Sequence, residues 1–305
     1  MHEKKRYSVK MIDTDICGIK LRNPTILASG IMGVTGASLR KTIKKGAGAV
    51  TCKSIGLEER KGHPNPILVE YKEGFINAVG LSNAGLESIE ELKWFKNNCD
   101  EPIIVSIFSP TKEGFGKVAK EVSKIKPDMI EVNISCPNVE DEFGKPFATD
   151  EEISAGVTKE VKKNTDSKII VKLSPNVENI KKIAKAVENA GADAINAINT
   201  VGPGMAIDIR TAKPILANKV GGVSGPAIKP VAVRCVYDIY AAVDIPIIGT
   251  GGVSTGEDAI EMIMAGASAV GIGTATYYRG LDVFSKVSDE IEQFMKKEGY
   301  KSIKE

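Results

Sequence analysis

Asn133, Cys136 and Asn138 lie close together where an apolar run, Met129 to Ile134, gives out. The β-branched residues of that run suit a buried strand, and Pro137 forbids further ladder pairing. A polar side chain on the strand and a thiol just past its end build a site rather than a core, although a free cysteine also packs as a small hydrophobe. The two flanking amides need partners, which suits a bound polar ligand. Two lysines extend the constellation. Lys53 and Lys172 each end an apolar stretch, and a lysine in such a place is seldom buried unless it meets an anion. Histidine supplies no base here, since only His2 and the loop residue His63 exist.

These residues need a frame to hold them, and the chain supplies a regular one. A short hairpin is expected over Ile16 to Leu21, around Gly18. Eight strands are then expected at Thr25–Ala28, Ala49–Ser54, Ile103–Phe108, Met129–Ile134, Lys168–Ser174, Ala194–Thr200, Ile245–Thr250 and Ala269–Thr274. Helices are expected between them at 37–45, 88–97, 117–126, 153–163, 177–189, 227–242 and 256–264. Gly46-Ala-Gly-Ala-Val50, Gly191-Ala-Asp-Ala-Ile195 and Gly266-Ala-Ser-Ala-Val270 repeat one helix-to-strand phrase, with glycine past the helix end. The alternation predicts a (β/α)8 TIM barrel spanning residues 1–305 as one domain, with an open doubly wound sheet as the other fold. Three stretches read as polar loops: 55–77, 139–149 and the glycine-rich 201–226.

In such a barrel the chemistry sits at the carboxyl ends of the strands, and the polar residues cluster there. Lys53 and Ser54 close strand two, Ser106 lies on strand three, and Asn133 and Cys136 close strand four. Lys172 ends strand five, and Asn199 and Thr200 end strand six. Gly251 and Gly252 follow strand seven, while Gly273 and Thr274 end strand eight, where this fold commonly binds phosphate. Lys172 is either a salt-bridge partner of Glu131 or a cation beside the N1 edge of a flavin, where it would stabilise the reduced ring. No G-x-G-x-x-G or Walker-type lysine supports a Rossmann site or a P-loop.

Composition narrows the partners. Lys plus Arg (41) against Asp plus Glu (39) leaves +2, which gives no electrostatic footprint for nucleic acid. The five cysteines are odd in number and form no C-x-x-C pair, which points to a reducing compartment and to no zinc or iron-sulfur site within this chain. No apolar run approaches the length of a membrane span, so a cytoplasmic protein is expected.

Several motifs together resemble the dihydroorotate dehydrogenase family over essentially the whole chain. They are Asn133-Ile-Ser-Cys136-Pro-Asn138, Thr51-Cys-Lys53-Ser54, Asn77-Ala-Val-Gly80-Leu81-Ser-Asn83, Asn199-Thr200 and Gly221-Gly-Val-Ser-Gly225-Pro-Ala-Ile-Lys-Pro230. The resemblance implies an FMN-containing barrel that oxidises dihydroorotate to orotate in pyrimidine synthesis. A cysteine base is similar to the soluble class 1 enzymes, whereas the membrane-associated class uses serine and carries an extra N-terminal helical segment. The stretch from Gly204 to Pro226 is similar to the NAD-linked class 1B. It implies a second subunit carrying FAD and a [2Fe-2S] cluster, on a homodimer core of a heterotetramer.

By the same resemblance Cys136 is the base. Lys53, Asn77, Ala78, Val79, Gly80, Leu81, Asn133, Asn138, Asn199 and Thr200 would hold substrate. FMN would be held by Ser29, Lys53, Ser54, Ser106, Asn133, Lys172, Ile198 and Gly225, with Gly251, Gly252, Gly273 and Thr274 around its phosphate. No metal ligand is implied. Ser106 departs from the asparagine of many relatives, and His63 and Ile67 depart from a Gly-Asn-Pro-x-Pro-Arg pattern. The 139–149 stretch suits a lid over substrate. Other readings are a flavin-dependent dihydropyrimidine dehydrogenase, a dihydrouridine synthase-like barrel, or a phosphate-binding barrel without redox chemistry.

Overall fold

The computed structural model describes residues 11–72, 74–134 and 149–305. A hairpin comes first, β1 (Thr14–Ile16) and β2 (Ile19–Leu21), turning at Cys17 and Gly18, both at positive φ. Then follow β3 (Thr25–Leu27), α1 (Gly36–Lys44), β4 (Ala49–Thr51), β5 (Leu68–Tyr71), β6 (Gly74–Asn77), α2 (Ile89–Asn98), β7 (Ile103–Ile107), α3 (Lys112–Ser123) and β8 (Met129–Asn133). After the undescribed stretch come α4 (Glu151–Lys163), β9 (Lys168–Leu173), α5 (Ile180–Asn189) and β10 (Ala194–Ala197). Four short strands follow: β11 (Val201–Gly204), β12 (Ile207–Asp208), β13 (Lys213–Pro214) and β14 (Gly221–Ser224). The chain ends with α6 (Lys229–Tyr240), β15 (Ile247–Thr250), α7 (Gly256–Met264), β16 (Ala269–Ile272), α8 (Ala275–Arg279) and α9 (Val283–Glu298).

Strands β3, β4, β7, β8, β9, β10, β15 and β16 close into a parallel barrel, the (β/α)8 fold expected from the alternation. Alternation along each strand then decides what fills it. The lower inward positions are apolar: Ile26, Ala49, Ile104, Met129, Ile170, Ala194, Ile248 and Ala269 pack with Ile16 and Leu21 of the hairpin. The hairpin therefore plugs the amino end of the barrel, and Thr14 Oγ1 fastens it to the Ser268 carbonyl at 2.9 Å. Two residues further along, the inward side chains are polar: Ser106, Glu131, Lys172, Asn196 and Thr250, all buried. The outer faces of the strands meet the amphipathic helices in the main core.

Helix caps explain several boundaries. Thr35 and Thr255 each close a capping box, with Ser38 and Asp258 respectively. The helix expected at 117–126 in fact starts at Lys112, because Thr111 accepts from the Gly114 amide; Gly114 and Gly116 within it weaken the sequence signal. Asn179 caps α5, so that helix starts three residues later than expected. The helix expected from Ala227 opens instead with a 3-10 turn, Pro226–Ile228, before α6.

The larger correction concerns the loops. The stretch 55–77 contains the antiparallel pair β5–β6, and 201–226 contains β11 to β14. β11 and β14 merge with β6 and β5 into one antiparallel sheet in the order β11-β14-β6-β5, while β12 and β13 pair only with each other. Strands as short as Val-Gly-Pro-Gly and Gly-Gly-Val-Ser carry no period-2 apolar signal, and their partners lie far away in sequence. Residues 139–148 of the expected lid lie outside the described residues.

Candidate functional site

The paired ladders stop short of the polar residues. Strands expected to run to Ser54, Ser174, Thr200 and Thr274 end their pairing at Thr51, Leu173, Ala197 and Ile272. Lys53, Ser54, Ile198, Asn199, Thr200, Gly273 and Thr274 thus sit just past the strand ends, on the rim where a ligand can meet them.

A hydrogen-bonded belt crosses the barrel at this height. Ser54 Oγ lies 2.9 Å from Ser106 Oγ, and Ser106 donates to Glu131 Oε1 at 2.9 Å. From the other side Thr250 Oγ1 donates to Asn196 Oδ1 at 2.7 Å, and Asn196 Nδ2 donates to Glu131 Oε2 at 2.6 Å. Asn133 Nδ2 reaches Ser54 Oγ at 3.1 Å, and Ser29 donates to the Cys52 carbonyl at 2.9 Å. Ser106, which departs from the family pattern, is a link in this belt. Sequence reasoning gave Asn196 and Thr250 no role and Glu131 only that of a salt-bridge partner; their signal is the inward position two residues above an apolar one. Gly271 belongs with them, since a Cβ there would collide with Thr250 Oγ1.

Lys172 stands beside Asn133 and Asn196 in the registers of the neighbouring strands. It is 5 % exposed and, among the described residues, forms neither an ion pair nor a hydrogen bond; Glu131 is not its partner. Burying an ammonium without a counter-ion is costly, so such a group is built to meet an anion. Cys52, between Thr51 and Lys53, is a different case: burial pushes its thiol up to about 12, which leaves it a neutral packing residue.

The stretch 77–81, expected to meet substrate, is braced by its neighbours. Asn77 Nδ2 donates to the Gly222 carbonyl at 3.3 Å, and the Ala78 amide to Ile67 at 2.8 Å. His63 N donates to the Val79 carbonyl at 3.1 Å, and Arg60 Nε to the Gly80 carbonyl at 2.8 Å. Gly80 and Leu81 both take positive φ, and Asn83 Nδ2 donates to the Leu81 carbonyl at 2.7 Å. Thr200 joins the same cluster, because a Cβ at Gly222 would collide with its side chain. Asn199 Oδ1 accepts from the Thr200 amide at 2.9 Å.

A second cluster forms at the ends of β15 and β16. Gly251 packs against Ile198 and Ile228, and Gly252 (φ +77) against Lys229. Gly225 (φ 99) precedes the turn into α6. Thr274 Oγ1 lies 3.1 Å from Ser224 Oγ. At Gly273 a Cβ would meet only Ala28 and Ile31, at 3.7 Å, so packing does not demand glycine there. The bare backbone there is open to the approach of a ligand. An uncompensated buried cation on one side and this glycine-lined edge on the other fit a flavin ring and its phosphate. Cys136 and Asn138 lie outside the described residues.

Parallel barrels that gather polar groups at their strand ends in this way are enzymes, with a common place for phosphate near the last two strands. Residues 11–295 match the family model for dihydroorotate dehydrogenase, and the chain belongs to that family, which implies a flavin-binding barrel. It is 52 % identical over 292 residues to a protein of Methanocaldococcus jannaschii described as dihydroorotate dehydrogenase B (NAD(+)), catalytic subunit, covering 94 % of each chain. Relatives with the same description from Methanothermobacter thermautotrophicus and Pyrococcus abyssi are 49 % and 47 % identical, each with 97 % of both chains covered. No helix among the described residues is long and apolar enough to cross a membrane.

Proposed function

We propose that this chain is the catalytic subunit of an NAD-linked dihydroorotate dehydrogenase, a one-domain FMN barrel that oxidises dihydroorotate to orotate in pyrimidine synthesis. The observation that carries the reading is buried Lys172, without a counter-ion among the described residues and adjacent in register to Asn133. FMN, when bound, would supply the acceptor for the hydride that leaves C6 of dihydroorotate. Cys136, as thiolate, takes the proton from C5, so the C5–C6 bond becomes double and charge balances. Lys53 meets the substrate carboxylate and the flavin; Asn77 to Leu81, Asn133, Asn138, Asn199 and Thr200 hold the ring's donors and acceptors. Lys172 would meet the negative charge that the flavin gains on reduction, and Gly225, Gly251, Gly252, Gly273 and Thr274 would hold its phosphate. Electrons leave for NAD+ through a partner subunit with FAD and [2Fe-2S], in a cytoplasmic heterotetramer built on a homodimer.

A thiol with a reference pKa near about 8.5 is mostly protonated at neutrality, so flavin reduction should speed up as pH rises through that value. The test is anaerobic mixing of the yellow protein with dihydroorotate. Bleaching of the oxidised band is expected, and NAD+ without the partner should not restore it. A yellow protein that does not bleach assigns another dihydropyrimidine, and one that stays colourless when FMN is supplied removes the redox reading. Cys136→Ala should keep its colour and lose at least about a hundredfold in the rate of bleaching, the usual scale of general-base removal.

A further inference from the structure

Lys172 and Glu131 are placed to pair, and do not. Glu131 lies opposite Ile170 in the β8–β9 register, and Lys172 is the next inward residue along β9, opposite Asn133. That step puts the two backbones about 8 Å apart, within the combined reach of a lysine and a glutamate side chain. Both are buried, 5 % and 1 % exposed, where opposite charges attract far more strongly than in water. Among the described residues no ion pair joins them: Lys172 has no hydrogen bond, and Glu131 has only neutral donors. The donors explain the separation. Ser106 holds Glu131 Oε1 at 2.9 Å and Asn196 Nδ2 holds Oε2 at 2.6 Å, so both carboxylate oxygens are engaged. Each donor is anchored in turn. Thr250 Oγ1 donates to Asn196 Oδ1 at 2.7 Å, and Ser106 Oγ lies 2.9 Å from Ser54 Oγ, which lies 3.4 Å from Ser29 Oγ and accepts from Asn133 Nδ2 at 3.1 Å. Asn196, the register neighbour of Lys172 on β10, thus spends its amide on Glu131 and its carbonyl on Thr250, and neither on the lysine.

We propose that Asn196 and Ser106 are positioning residues that, by occupying both oxygens of Glu131, keep this carboxylate from pairing with Lys172 and so leave the ammonium open to an anionic ligand. This rests on the reading that Lys172 meets the negative charge the flavin gains on reduction. A lysine already paired would share its charge with the internal carboxylate, and the flavin would have to compete for it. Held at one remove, Glu131 still offsets part of the cost of burying the ammonium, because attraction persists beyond contact in a low-dielectric interior. Two opposite charges are therefore buried near each other without touching.

The test is the midpoint potential of the bound flavin, with Asn196→Leu and Glu131→Met forming a double-mutant cycle. Asn196→Leu removes the amide at similar volume and frees Glu131 Oε2 for Lys172. The potential should fall by about 30 mV, the two-electron equivalent of a tenfold loss in preference for the reduced form. Glu131→Met alone should not lower it, and in that background Asn196→Leu should change the preference less than about twofold. A fall that persists without Glu131 would mark Asn196 as a packing residue and overturn the inference, as would an unchanged potential in Asn196→Leu. The crystal structure of the Asn196→Leu apoprotein should show Glu131 and Lys172 in ion-pair contact, within about 4 Å; side chains still apart there overturn it too. If Asn196→Leu does not fold, Ser106→Ala frees Oε1 and completes the same cycle. Lys172→Met separates the two readings. If it leaves the potential unchanged, the flavin reading of Lys172 and the inference fall together; if it lowers the potential while Asn196→Leu does not, the inference falls alone.

Discussion

The two charged residues inside the barrel answer different needs. Glu131 is satisfied by neutral donors within the protein, while Lys172 has neither an ion pair nor a hydrogen bond among the described residues. Lys172→Met should weaken FMN binding at least about tenfold, or shift the flavin potential to more negative values, since the reduced ring loses its cation. Fluorescence titration and a redox titration check this, and no change in either removes Lys172 from the cofactor. Relief of the buried charge should leave the melting temperature of the apoprotein unchanged or higher. Lys172 was legible in the sequence because a lysine in a β-branched run is rare. Asn196 and Thr250 were not, because a polar residue on a strand becomes meaningful only when the neighbouring strand's register is known.

At the scale of elements, boundaries follow local chemistry. Asp193 begins the approach to β10, and its carboxylate takes the Ile169 amide at 2.9 Å and the Lys162 and Lys168 ammoniums at 2.8 and 3.1 Å. Partial burial pushes its pKa up, but the bonds from Lys162 and Ile169 outweigh this and hold it below the usual carboxylate range. A depressed folded value means that the stabilisation is present above the unfolded pKa of about 3.9 and is lost as pH falls through the folded value. Asp193→Asn should therefore melt below wild type at pH 7, with the gap closing below pH about 4; thermal melts from pH 7 to 2 test it, and a constant gap contradicts it. Helices, barrel strands and the plugging hairpin were readable from periodicity and from glycine punctuation. The outer strands β5, β6, β11 and β14 were not, because half-exposed antiparallel segments rich in glycine owe their form to partners and not to their own pattern.

For the molecule as a whole, the barrel interior is divided between a dry amino end and a polar carboxyl end. The plug supplies two of the largest side chains in the dry half, Ile16 and Leu21, both fully buried. Leu21→Ala should cost about 2–5 kcal/mol, the range for an enclosed leucine that the surroundings cannot replace. Denaturant unfolding measures it, and a loss below about 1 kcal/mol would show that the hairpin is an ornament on a self-sufficient barrel. The dry floor also keeps water from reaching the hydrogen-bonded belt from below, which preserves the strength of every polar contact in it.

The outer antiparallel sheet fixes an order of events in time. Strand β6 pairs with β14, Val223 lying opposite Ile76, although the barrel strands β7, β8, β9 and β10 all intervene in the chain. So distant a pairing carries its full loop-closure cost until the intervening barrel has formed and brought both segments to the same rim. The clasp that carries Asn77 at one end of β6 is thus expected to close late in folding, after the barrel that brings β6 and β14 together.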